Sequence, residues 1–128
     1  MAIYSDYKTI PGLVASSASL ATAQFKIVQA CSTAGQVKVC TTAATDKILG
    51  ILQNDPAAGE TAEVAYSGIC AAAAAASVTF GSKLTTNSTG YVTSTTTDKD
   101  EIVGIALAAS STAGDIIPVL LTRFTLSE

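Results

Sequence analysis

Two carboxylate pairs have the best claim to chemistry in this chain. Glu60 and Glu63, and likewise Asp98 and Asp100, stand close enough in sequence to meet a cation or share a proton. Both pairs lie in turn-rich stretches without the ligand density of a calcium loop, so each carboxylate is read as solvated or bonded to nearby backbone. With no histidine among 128 residues, a Ser-His or Cys-His pair is excluded, and no Gly-x-Ser-x-Gly elbow, phosphate loop or dinucleotide fingerprint is present. Cys31, Cys40 and Cys70 show no CxxC spacing and are expected to be small buried hydrophobes. Cys31 and Cys40 flank a turn at Gly35 and could face each other across a hairpin, which leaves their oxidation open. The expectation is therefore no catalytic residue, no cofactor and no metal.

The scaffold around these residues is written twice. Asp46-Lys47-Ile48-Leu49-Gly50-Ile51 recurs as Asp100-Glu101-Ile102-Val103-Gly104-Ile105, 54 residues later. At an offset of 55, Phe25 matches Phe80, Gly35-Gln36-Val37 matches Gly90-Tyr91-Val92, and Ala58-Gly59-Glu60 with Val64 matches Ala113-Gly114-Asp115 with Val119. The repeated positions are glycines at turns or close approaches, β-branched residues of strands, and acids beside glycine, which build a β scaffold and are not reagents. Two copies imply a duplication inside one compact domain, because a solenoid needs about three or more stacked units.

Strands are expected at 25–28, 36–40, 46–52, 61–66, 102–107 and 116–124, with turns at Gly35, at Asn54-Asp55-Pro56-Ala57-Ala58-Gly59, at Gly90 and at Gly114. Pro118 predicts an edge or a bulge in the last strand. Residues 1–12 read as an extended arm that docks elsewhere rather than joining the core: Tyr4, Tyr7 and Ile10 alternate with polar neighbours before Pro11-Gly12 breaks the chain, and tyrosine suits a wet interface. The backbone of Ala71, Ala72, Ala73, Ala74, Ala75 and Ala76 is undecided between helix and strand. Its narrow side chains would let two backbones meet closely, so it is the candidate subunit interface. The fold class is mainly β, a compact sandwich or barrel-like domain at 13–128 built of two strand meanders at about 25–64 and 80–119, with the N-terminal arm.

Composition restricts the partners. The chain is 48% hydrophobic and only 13% charged, apolar enough that part of its surface is expected to face a second subunit or a partner. Its seven basic residues are scattered singly, so no patch could track a phosphate backbone and nucleic acid is not an expected partner. The longest run of small apolar residues is too short to span a bilayer, the N-terminus lacks a signal-peptide pattern, and synthesis in the cytoplasm is expected. Lys47, near a turn, invites comparison with the modified lysine of lipoyl and biotinyl carriers, but Asp46-Lys47-Ile48 is not their tripeptide.

The succession Gly50-Ile51, Asn54 to Glu60, Val64, Gly68, Gly81, Leu84, Gly90-Tyr91-Val92, Val103-Gly104-Ile105-Ala106, Ala113-Gly114-Asp115 and Val119-Leu120-Leu121 resembles the small capsid decoration, or cement, proteins of tailed bacteriophages. The resemblance covers residues 25–122. It implies a β-rich, non-enzymatic homo-oligomer, a trimer or alternatively a dimer, made in the host cytoplasm and bound to the outer face of the expanded capsid, where it stabilises contacts between major capsid protein subunits. Tyr4, Tyr7 and Ile10 would be its capsid contacts, with no small-molecule substrate, membrane or nucleic acid involved. The alternative is a surface-displayed, adhesin-like binding module.

Overall fold

A computed structural model describes residues 5–16, 20–41, 48–97 and 99–126. Among them there is no helix, and ten strands form one sheet. They are β1 (Ser5–Thr9), β2 (Val14–Ala15), β3 (Ile27–Ala30), β4 (Gln36–Val39), β5 (Ile48–Leu52), β6 (Val64–Ala73), β7 (Lys83–Thr86), β8 (Val92–Ser94), β9 (Glu101–Ala106) and β10 (Ile116–Thr125).

The sheet runs β2-β4-β3-β5-β6-β10-β9-β7-β8, with β1 added on β6. Its path contains β4-β3-β5-β6 and β8-β7-β9-β10, two meanders of the same strand order. They meet where residues 68–73 of β6 pair antiparallel with residues 116–121 of β10. Gly50 and Gly104 hold matching places: each lets its strand approach the next so closely that a Cβ would strike backbone. At Gly104 that atom would sit 2.5 Å from the Leu120 carbonyl oxygen and 2.6 Å from Val119 Cγ1; at Gly50 it would strike the carbonyl oxygen of Ala65 and touch Val64 Cγ1.

Two buried clusters hold the sheet. Ile27, Ile51 and Cys70 share the larger one with Leu84, Val103 and Val119, so both meanders contribute to it. Val28, Leu52 and Val64 turn the other way and join Ala15, Leu20 and Val37 in the smaller cluster. Adjacent residues such as Ile27 and Val28 thus feed opposite faces, as the period-two geometry of a strand requires. Full burial of each such side chain is worth about 1.5–3 kcal/mol.

Three expectations are corrected here. Residues 5–9 do not stand away from the core: β1 pairs with β6 from Ser5↔Cys70 to Thr9↔Ala65, and Ile10 packs against the smaller cluster. Tyr7 packs against the larger cluster and Ile10, three residues on, against the smaller one, so the two side chains serve opposite faces. The alanine run is extended, with Ala71, Ala72 and Ala73 ending β6 and Ala74 bridged to Val92. Ala71, Ala72, Ala73 and Ala74 are buried within their own chain, which leaves only the half-buried Ala75 and exposed Ala76 of the expected subunit interface. Finally, Cys31 and Cys40 do not face each other. The Cys31 N–H donates to Gln36 at the turn end of the β3–β4 hairpin, whereas the Cys40 N–H donates to Ile27 at its other end. Four residues of strand, about 13 Å, separate them, well beyond disulfide reach.

Pro118 lies in β10, which is flanked by both β6 and β9 and is not an edge strand. Pairing with β9 begins only at Val119↔Ala106, and the Pro118 carbonyl accepts from Leu107 just past the end of β9. The missing N–H therefore faces the side where the ladder has stopped, which is why proline is tolerated there.

Candidate docking surface

The groups with chemical potential are each engaged in holding the fold. Glu60 Oε1 accepts the Ala57 N–H at 2.8 Å and closes its own turn. Glu63 Oε1 instead accepts the Tyr7 hydroxyl at 2.9 Å, so these two carboxylates have separate partners. Asp100 is buried and its Oδ2 accepts from Thr95 Oγ1 at 2.7 Å; Asp98 and Lys47 lie outside the described residues. Among the described residues no group of three acidic, histidine or cysteine side chains is placed to hold a metal, and no disulfide links Cys31, Cys40 and Cys70. Burial pushes the Cys70 thiol up to about 12, far from the thiolate that a nucleophile needs.

Of the expected arm contacts, Tyr4 lies outside the described residues. Tyr7 is half-buried against the larger cluster. Its phenol is raised from its ordinary value, first by burial, then by the hydrogen bond to Glu63 and the charge of that carboxylate. Tyr7 and Ile10 are thus part of the domain wall, with only one side of each left to a partner.

What the fold leaves open is apolar. Phe80 is 73% exposed, at a turn beside Gly81, and among the described residues Ile116, Leu120, Tyr66 and Phe124 are the other exposed large apolar side chains. Phe80 matches Phe25 in the repeat, which does not say which way either side chain faces; the Gly81-Ser82 pair directly after it was the available sign of a turn. Next to Phe80 lies a shallow polar depression of about 380 Å³ lined by Gly81, Ser82, Lys83, Ser94, Thr95 and Thr96.

A second exposed feature crosses the sheet. The pairings Asp6↔Ile69, Ile69↔Leu120, Leu120↔Ile105 and Ile105↔Lys83 place five side chains from β1, β6, β10, β9 and β7 in one row on one face. Its ends, Asp6 and Lys83, are exposed, and its centre is apolar. These surfaces can hold a partner by contact; they offer no reacting group.

The model of the phage cement protein family matches residues 20–121. The chain belongs to the phage cement protein family. A cement protein of this kind is a structural, capsid-associated component of a bacteriophage virion, and the expected family resemblance is borne out. The matched segment begins at Leu20 and so leaves β1 and β2 outside it, whereas Glu63, which anchors Tyr7, lies within. Among solved structures, the N base of head fiber gp8.5 in bacteriophage phi29 shares the fold. Its TM-score is 0.65 at 14% sequence identity, over 91% of this chain and 95% of that one. No curated protein sequence matches.

Proposed function

We propose that this cement protein binds the outer surface of the expanded phage capsid and stabilises the contacts between major capsid protein subunits. The family match across residues 20–121 carries the reading. Contact is made by Phe80, the most exposed large apolar side chain among the described residues, and by the N-terminal segment with Tyr4 and the outer sides of Tyr7 and Ile10. Because such a protein binds the assembled shell better than dispersed subunits, mass action converts its binding into shell stability. Several copies or several contacts per assembly add effective concentration to modest individual affinities.

The chain acts without turnover in this reading. Glu60, Glu63 and Asp100 each accept a hydrogen bond that holds the fold, and the buried Cys70 is held as the thiol. Cosedimentation with expanded capsids that lack the protein tests the proposal. Saturable binding at a fixed ratio to the capsid protein is expected, weakened by Phe80→Ser while the variant melts like the parent. Truncation at Gly12 is the poorer probe because it strips β1 from β6. Absence of saturable binding would overturn the reading in favour of an adhesin-like module.

A further inference from the structure

We infer that the polar depression beside Phe80 receives an acidic turn of the major capsid protein, as the first meander receives the molecule's own turn between β7 and β8. The inference rests on the capsid reading proposed above and names the part of the partner that this site takes.

The first argument is a backbone arrangement that occurs twice. In the first meander the Phe25 N–H donates to Leu52, the Leu52 N–H to Lys26 and the Cys40 N–H to Ile27. In the second, the Gly81 N–H donates to Ala106, the Ala106 N–H to Ser82 and the Thr95 N–H to Lys83. Phe25 and Gly81 both have positive φ, 72° and 86°. These bonds align Phe25 with Gly81, one position on from its sequence match to Phe80. They likewise align Lys26 with Ser82, Ile27 with Lys83 and Cys40 with Thr95. The pairings Val28↔Val39 and Leu84↔Ser94 add Val39 and Ser94 to the match. The lining of the depression is thus the second occurrence of a surface that Phe25, Lys26, Ile27, Val39 and Cys40 make in the first meander.

The second argument is that the first occurrence is filled. Gly90, in the turn between β7 and β8, accepts the Ile27 N–H on its carbonyl at 2.8 Å. A Cβ on Gly90 would strike Val39 Cγ1 and come within 3.3 Å of Lys26 Cβ, so the turn is seated closely on this surface. Tyr91 follows, with the Lys26 ammonium 4.8 Å from its ring centroid. At the second occurrence the Lys83 carbonyl accepts from Thr95, and the Lys83 N–H points to the same side. No described group accepts that N–H. A backbone donor and a depression of about 380 Å³ therefore stand where the first meander holds a turn.

The replacements state the chemistry of the occupant. Ile27 and Cys40 are fully buried beneath an apolar contact, whereas Lys83, Ser94 and Thr96 are exposed and polar. Lys83 in the place of Ile27 brings a cation, and among the described residues no carboxylate lines the depression. A turn that offers one carbonyl and an Asp or Glu side chain meets both donors. Gly81 in the place of Phe25 clears the room for it. Phe80, the proposed capsid contact, directly precedes Gly81, so rim and depression face one partner.

Cosedimentation of the full chain with expanded capsids that lack it decides the matter. Gly81→Phe refills the depression with the side chain found at Phe25, and Lys83→Glu reverses its charge. Each is expected to raise the dissociation constant about tenfold or more while melting like the parent. Lys38→Glu makes the same charge change on an exposed residue of β4 and should stay within about twofold of the parent. A photo-crosslinking residue at Thr96 should join the capsid protein within a turn that contains Asp or Glu, as located by mass spectrometry. Lys83 is exposed, so its variant remains informative even where Gly81→Phe does not fold. Parent-like binding by Lys83→Glu, or a cross-link outside an acidic turn, overturns the inference and leaves the capsid reading standing. Failure of the parent to bind overturns both.

Discussion

Tyr7 donates its hydroxyl hydrogen to Oε1 of Glu63 at 2.9 Å, joining positions 56 residues apart. The bond ties β1 to the segment entering β6 by a side chain as well as by the backbone ladder. It also links a strand outside the family-matched region to a residue inside it. Whatever β1 contributes to a partner surface is thus delivered from a fixed position.

The first prediction concerns alkaline pH. In the unfolded chain the Tyr7 phenol ionises near 10, and in the folded chain it ionises later because of burial and the Glu63 carboxylate. The folded state then binds more protons, so stability falls as pH rises. The contribution is complete below pH 10 and lost as pH climbs through the folded value. Tyr7→Phe should cost about 0.5–1 kcal/mol at pH 7 and flatten the loss of stability in urea unfolding between pH 9 and 11. Equal alkaline slopes for both proteins would refute the assignment.

Gly104→Ala is the second. The new methyl would meet the Leu120 carbonyl oxygen at 2.5 Å and Val119 Cγ1 at 2.6 Å, both in an adjacent strand. Forcing β9 and β10 apart should cost about 1–3 kcal/mol, and Gly50→Ala at the matching place no less. Thermal melts of the two variants check this, and a change under a few tenths of a kcal/mol in either would show that the strands spread freely.

The third concerns the thiols. Cys40 and Cys70 are fully buried, whereas Cys31 is half-buried at the end of β3. A thiol reagent at pH 8 should therefore modify Cys31 alone in the native protein and all three in denaturant. Prompt native labelling of Cys70 would mean that β6 opens on its β1 side far more readily than the paired edge implies. Air oxidation should not produce a Cys31–Cys40 link within one chain.

Much of the scaffold was legible in the residues themselves. The alternation in Gln36-Val37-Lys38-Val39, the turn at Gly35 and the apolar Ile48–Leu52 strand all appear where local pattern puts them, because each is decided by neighbours in sequence. The alanine run was not legible: alanine favours helix by propensity, and only the partners Ile116 and Ile117 on β10 make Ala73 and Ala72 a strand. That Tyr7 and Ile10 pack on their own chain, Tyr7 against the larger cluster and Ile10 against the smaller, depends on β6, some 60 residues away. Phe80 was hidden because a repeat match says which positions correspond and not whether they face the interior. The row from Asp6 to Lys83 draws on five strands, and no sequence pattern announces it.

The antiparallel pair of β6 and β10 has a mechanical consequence. Its inter-strand bonds lie across the strand axes, and six residue pairs, from Ile116↔Ala73 to Leu121↔Gly68, join the two meanders. Tension pulling the halves in opposite directions along these strands loads those bonds together, in shear, and rupture requires them to fail at once. Tension directed across the strands would peel them singly from one end. The molecule is consequently stiff along one direction and weak along the perpendicular one, and its orientation on a shell under outward pressure sets how much load it can bear.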